Sequence, residues 1–329
     1  VLLVSSCGLQ NARLTPIKKH TLELKSITHQ HSPTISGPTN HTDISHVILI
    51  VMENLGYSAA MDIPSLRNLA DRYAYASSYY AVAHPSLPNY IALISGSTQG
   101  ITSDCWFCYV TAPTIAGSFA RRHVSWGAFM QGLPAPCWLG PWWPEGDYAG
   151  KHNPFRYFMS IRQSSALCSH IDSLSYFVRD IESPDAQDAV PQFSFVVPNL
   201  CNDGHDCSSV HASSWLVMFV NQIRRSKIWN DGTVIFVTWD EGNGADTRGV
   251  NSNGAIVPNS GGGHVLTLVI TKLLKGGCNI KTVSNHYSLL KTIEEMYGLP
   301  LLGSTANANV HALFDPSSPR HACAQKDKL

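Results

Sequence analysis

The sequence predicts an α/β fold, a mostly parallel central sheet with helices on both faces. Three observations predict it. Continuous apolar runs such as "HVILIVM" and "GTVIFVTW" suit strands buried on both faces. Those runs alternate along the chain with segments of helical period. The polar residues with chemical potential follow the runs directly, where open α/β sheets bind their ligands. With 329 residues, 44% of them apolar, the chain can bury a large core in one continuous unit.

The elements follow in order. Residues 1–42 read as an exported N-terminal segment and tether: Gln10 to Thr42 is rich in Thr, Ser, His and Pro and has no periodicity. Val4, Ser5 and Ser6 before Cys7 match the lipobox of bacterial lipoproteins, which would anchor the chain by lipid through Cys7; a disordered terminus is the plain alternative. A catalytic domain spans 43–315, and 316–329 form a tail. Within it, "HVILIVMEN" is a strand, "IPSLRNLADRYA" a helix with Leu66, Leu69 and Tyr73 on one stripe, and Leu87–Ser95 a helix after "HPS". "GSFARR" and "HVSWGAF" read as helix then strand. Residues 131–165, dense in Trp, Pro and Gly, form a long irregular insertion. "QFSFVVPN", "GTVIFVTWDEG" and "HVLTLVIT" are strands, and "SSWLVMFVNQIRRSKIW" is an amphipathic helix. The last helix lies in "SNHYSLLKTIEEMYGLP", capped by Ser284 or Asn285 and stopped by Gly298 and Pro300.

Composition narrows the partners. Lys plus Arg equals Asp plus Glu at 23 each, with no basic arm, which excludes a nucleic-acid footprint. No apolar run approaches the ~20 residues of a membrane helix. The 15 His in a chain only 14% charged favour metal or proton chemistry. Nine Cys fit an exported protein, secreted or at the cell surface: with Cys7 set aside, eight remain for disulfides. Cys201 and Cys207 are close enough to staple one loop, and Cys105 or Cys108 is expected to bond Cys137.

The polar clusters suggest chemistry. Asp240 and Glu241 follow a buried strand, where adjacent carboxylates repel and lose water; one divalent cation relieves both costs. With Glu53, Asn54 and the Ser86 hydroxyl the donor set is all oxygen, which suits Ca²⁺, Mg²⁺ or Mn²⁺ better than Zn²⁺. A turn with Gly242 and Asn243 is the plain alternative. Pro85 and Pro88 restrict the backbone around Ser86. A helix starting there would aim free N–H groups at an anion beside the hydroxyl, and a metal would activate it. A proline-bounded turn explains the same pattern without chemistry. Asn89 is expected to donate to a phosphoryl oxygen, Lys151 to bind phosphate, and His152 to bind phosphate or carry a proton. Asp203, His205 and Asp206 sit together in "CNDGHDC", with His205 the expected general acid. His84 is expected to orient the nucleophile loop and His286 to support the substrate side.

The segments "VMENLGYS", "HPSLPNYIAL", "GKHNPF", "VVPNLCNDGHD", "VTWDEG" and "NHYSLLKTIEEMYGLP" together resemble the phosphoesterase family of bacterial acid phosphatases and phospholipases C. Within that family they are most similar to the secreted phosphatidylinositol-3-phosphatase type. The resemblance covers residues 46 to about 300, apart from Trp138–Trp143, and implies an alkaline phosphatase-like α/β/α sandwich. It implies Ser86 as nucleophile through a phosphoserine, a metal among Glu53, Asn54, Ser86, Asp240 and Glu241, and His152 and His205 near the phosphate. Glu241 stands where a dinuclear zinc enzyme needs histidine, and Cys201 stands four residues before His205, so one metal is expected. Tyr90 replaces the arginine of sulfatases, which disfavours sulfate esters.

These readings converge on an exported, metal-dependent acid phosphatase acting on a phosphorylated small molecule or a phosphoinositide-type headgroup, with peripheral or lipid-anchored membrane association as an option. A phospholipase C-type phosphodiesterase is the nearest rival, with Trp138, Trp142 and Trp143 as a lipid-contacting lip or as packing. A non-catalytic ligand-binding surface lipoprotein is the rival from another class.

Overall fold

A computed structural model describes residues 44–230 and 232–323. The expectations for Cys7, for the tether up to Thr42 and for the end of the tail lie outside the described residues.

Eight strands form the central sheet: β1 (His46–Met52), β2 (Ala74–Ala76), β3 (Trp126–Met130), β4 (Ile171–Ser173), β5 (Phe193–Val197), β6 (Thr233–Trp239), β7 (Thr267–Thr271) and β8 (Asn279–Ile280). Their order is β8-β2-β7-β6-β1-β5-β3-β4. Every residue of β1 and β6 is buried, as the unbroken apolar runs require of central strands covered on both faces. Leu49 of β1 sits level with Phe195 on one side and Phe236 on the other. The sheet is mostly parallel; β7 alone is reversed, antiparallel to both β6 and β2.

Six longer helices surround the sheet: α1 (Pro64–Arg72), α2 (Ser86–Ser95), α3 (Ile115–Arg122), α4 (Leu174–Glu182), α5 (Ser209–Arg225) and α6 (His286–Met296). Helix α2 packs on α6, and α1 on α5. Every residue of α2 is buried, including its polar ones, so this helix belongs to the core and carries its first residue, Ser86, inward. Asn285 caps α6, its side chain accepting from the N–H groups of Tyr287 and Ser288 at 3.0 and 3.2 Å.

Among the described residues four disulfides join Cys105–Cys108, Cys137–Cys168, Cys201–Cys207 and Cys278–Cys323. The second corrects the expected bond from Cys105 or Cys108 to Cys137. Cys137 is held beside β4, its N–H donating to Ile171 O at 2.8 Å, which brings its Cα within 5.1 Å of that of Cys168. Cys105 and Cys108 close their own turn instead. In the insertion 131–165 the backbone is irregular apart from a short ribbon (Trp142–Trp143 with Tyr148–Ala149) and brief helical turns.

Candidate active site

The C-terminal ends of β1 and β6 are neighbours, so the residues that follow them must meet. β1 runs into Glu53 and then Asn54, whose φ of 53° turns the chain sharply. β6 runs into Asp240 and Glu241. The Asn54 N–H donates to Asp240 Oδ1 at 3.1 Å, and its side-chain amide donates to Glu53 Oε2 at 2.8 Å. Ser86, at the first turn of α2 and only 1% exposed, places its Oγ 3.4 Å from both Glu53 Oε2 and Glu241 Oε1. The structure thus gathers Glu53, Asn54, Ser86, Asp240 and Glu241 into one cluster.

Each carboxylate is managed by a different neighbour. Burial opposes charge on Glu53, but the charge and hydrogen bond of His152, with Lys151 beyond, bring its carboxyl down to about 2. Burial, and then the charges of Glu53 and Glu241, push the Asp240 carboxyl well above the usual range. Glu241 contacts His84 through Oε2 and Nδ1, and His84 Nε2 donates to Asp246 O at 2.9 Å. The bond to Glu241 raises the pKa of His84 above the ordinary imidazole range, against the effect of burial and with help from the Asp246 carbonyl.

A second layer lies behind Glu53. His152 Nε2 is 2.9 Å from Glu53 Oε1, and its Nδ1 is 3.2 Å from Asp203 Oδ2. Burial lowers the tendency of His152 to hold a proton, yet the flanking Glu53 and Asp203 carry it up to about 9. Its ring stacks on Tyr90, whose hydroxyl donates to Glu53 Oε1 at 3.1 Å. On the outer side, Lys151 Nζ lies 3.1 Å from Asp104 Oδ2 and 3.3 Å from His205 Nε2, and His205 Nδ1 lies 2.6 Å from Asp206 Oδ1. Lys151 loses some basicity to burial and regains more from Glu53 and Asp104.

Several expectations need correction. Asn89 presents nothing to a phosphoryl group. Its Oδ1 accepts from the N–H groups of Val82 and Ala83, both at 3.0 Å, and its amide donates to Ala83 O and Pro85 O. It shapes the loop that delivers Ser86. His286 is not on the substrate side: it is fully buried between the Asp240 carbonyl, to which Nε2 donates at 2.6 Å, and the Tyr79 hydroxyl, which donates to Nδ1 at 2.9 Å. Burial drops its pKa to about 4, so it stays neutral. His152 is buried between Glu53 and Asp203, and Asp203 lines a small cavity together with Glu53 and Asn54.

The start of α2 is not a free anion cradle either. Asp104 Oδ1 accepts the Leu87 N–H at 2.9 Å. Asp104 went unread because it sits in a loop with no period and no motif. The bond between Tyr90 and Glu53 was also unread, although the spacing of Tyr90 on a helix after Ser86 would put it one turn away. The loop before Ser86 is backed by Gly262, whose N–H donates to Ala81 O at 3.0 Å; a Cβ there would lie 2.0 Å from Ala83 O, so only glycine fits.

Among the described residues no three His, Cys, Asp or Glu side chains stand ready-arranged to hold a metal ion. The donors nevertheless suit one. Asp240 Oδ2 is buried with no hydrogen-bond partner, next to two further carboxylates. An unpartnered carboxylate oxygen buried beside further carboxylates is costly unless a cation completes it.

A model of the phosphoesterase family matches residues 30–300. A phosphate-repressible acid phosphatase of Penicillium chrysogenum is 29% identical over 258 residues, 77% of this chain and 59% of that protein. The chain therefore spans about six-tenths of that fungal relative. A phosphatidylinositol-3-phosphatase of Mycobacterium tuberculosis is 30% identical over 274 residues, covering 80% of each. Among solved structures, an alkaline phosphatase superfamily protein from Vibrio parahaemolyticus matches with a TM-score of 0.50 at 14% identity, over 88% of this chain and 71% of that one, a likeness of fold.

Proposed function

The chain belongs to the phosphoesterase family, and from that premise we propose that it is an exported acid phosphatase that hydrolyses phosphate monoesters through a phosphoserine on Ser86. The observation that carries this reading is the Ser86 hydroxyl, buried at a helix start with a carboxylate oxygen 3.4 Å away on each side. The names of the Penicillium and Mycobacterium relatives support phosphate monoesters, small or on an inositol lipid, as substrates. Four disulfides support export. No helix among the described residues is long and apolar enough to cross a membrane.

In this reading Ser86 Oγ forms a bond to phosphorus in line with the departing oxygen, and Glu53 or Glu241 takes its proton. Lys151 neutralises charge on the phosphoryl oxygens. His205, held by Asp206, gives a proton to the leaving alcohol. Water then cleaves the phosphoserine. Glu53, Asn54, Ser86, Asp240 and Glu241 would hold one divalent cation, with Ca²⁺, Mg²⁺ or Mn²⁺ preferred by the oxygen donors. Bound there, it would stabilise the serine alkoxide and polarise the phosphoryl group.

Acid-quenched turnover of p-nitrophenyl phosphate should leave phosphate on Ser86 in a peptide map. Ser86→Ala should cut turnover at least about a thousandfold with the fold intact. Undiminished activity in that variant would remove the nucleophile assignment. Faster cleavage of bis(p-nitrophenyl) phosphate than of the monoester would move the assignment to a diesterase.

A further inference from the structure

A cavity of about 190 Å³ lies beside Lys151 and Asp104. Its polar lining is Asp104 and Lys151, the pair that ties the Leu87 N–H, one residue beyond Ser86, to His205. The rest of its lining is largely aromatic: Trp106, Trp142 and Tyr157, with Pro141 and Ala149. Trp106 is 56% exposed and Trp142 43%, far more than two indoles normally leave to water.

This lining is fixed in advance. The Cys105–Cys108 disulfide closes the turn that presents Trp106. Arg156, 1% exposed, reaches two loops: Nη1 donates to Trp106 O at 3.0 Å and Nε to Leu139 O at 3.1 Å. The Gly150 N–H donates to Pro141 O at 2.8 Å, and a Cβ on Gly150 would lie 2.7 Å from that oxygen, so the Trp142 wall sits against the backbone just before Lys151. The same Arg156 guanidinium lies 4.6 Å from the centroid of the Tyr157 ring, so one buried side chain ties together the Trp106 loop, the Leu139 backbone and Tyr157.

We propose that this cavity is the leaving-group subsite, and that it takes one flat aromatic ring whose phosphate reaches Ser86 past Lys151. The size fits a single ring: a cavity of about 150 Å³ already holds benzene. The lining supplies two indoles and a phenol for stacking, and Lys151 as the cation for the phosphate. The proposal rests on the monoesterase reading and specifies its substrate class as phosphate esters of aromatic alcohols.

Benzyl phosphate and cyclohexylmethyl phosphate have leaving alcohols of similar acidity and differ in ring flatness, so their kcat/KM ratio reads the cleft. The ratio should favour benzyl about tenfold, and Trp142→Ala or Trp106→Ala should bring it close to one, with Trp142→Phe restoring most of it. Phe107→Ala, on the same turn as Trp106 but outside the cleft, should leave the ratio where it was. A wild-type ratio near one, or a ratio insensitive to both tryptophans, overturns the subsite while leaving the phosphatase intact. If no monoester is turned over, the functional reading itself falls. The subsite is then judged by calorimetry with benzylphosphonate and cyclohexylmethylphosphonate: equal affinities reject it, and a preference for benzyl that Trp142→Ala erases sustains it.

Discussion

Glu53 and Glu294 are buried to the same degree, 2% and 0% exposed, and end in opposite states. Glu53, at the end of β1, is brought down to about 2 against its burial because His152 and Lys151 face it. For Glu294, inside α6, burial outweighs the hydrogen bonds from Thr305 and Leu302 and the weaker charge of Lys291, and pushes it up to about 8. One of its oxygens accepts the Leu302 N–H at 3.0 Å, and the other has no partner. Burial alone makes a carboxylic acid; a carboxylate in the core has to be built with neighbours of opposite charge. Next to Ser86 the chain supplies those neighbours for Glu53, whereas inside α6 burial prevails at Glu294.

Three experiments test this contrast. The largest effect is expected from chelation. Exhaustive EDTA treatment should lower phosphatase activity at least about a hundredfold, with recovery on adding Mg²⁺, Ca²⁺ or Mn²⁺. Full activity in the stripped protein would mean that the acidic cluster needs no added cation. Next, His152→Ala leaves Glu53 and Asp203 without their shared positive partner. Urea unfolding should show a loss of about 3 kcal/mol, and a loss below about 1 kcal/mol would show that Glu53 is held by something other than His152.

The smallest effect belongs to Glu294. Its folded-state pKa is raised from 4.5 to about 8, so between those values the folded protein keeps a proton that the unfolded chain has released. Stability therefore falls as pH rises through that window. Glu294→Gln keeps the acceptor for Leu302 and removes the slope. Its melting temperature should exceed that of the parent by about 2–4 °C at pH 8 and match it near pH 5, with kcat/KM unaltered. A parallel pH slope in both proteins would show that Glu294 is not the group responsible.

Much of this was legible in the sequence because it depends on local pattern. β1 and β6 announce themselves as unbroken apolar runs, and α2 and α6 by period and caps. Since the ends of β1 and β6 are adjacent, finding Glu53 and Asp240 in the text is close to finding them in space. The sequence is silent where an outcome depends on which distant loop arrives. Nothing near Asp104 marks it as the partner of the Leu87 N–H. The pairing of Cys137 with Cys168 follows from β4, a strand of three residues too short to carry a period. Asn89 was read as a phosphate donor because its position beside Ser86 is visible, whereas the carbonyls that consume its amide are not. The reversal of β7 was equally hidden, since an apolar strand reads alike in either direction.

That reversal has a topological result. A parallel successor to β6 would have carried the chain back to the opposite edge of the sheet. Because β7 starts level with the end of β6, Thr267 opposite Thr238, the excursion from Asp240 to Leu266 begins and finishes on the same rim as Ser86. It touches the loop before Ser86 there, through Gly262 to Ala81 and Asp246 to His84, and carries its own small hairpin at Gly249–Val250 and Ile256–Val257. Insertions or deletions near that hairpin tip would reshape the approach to the serine while the eight-stranded scaffold stayed in register.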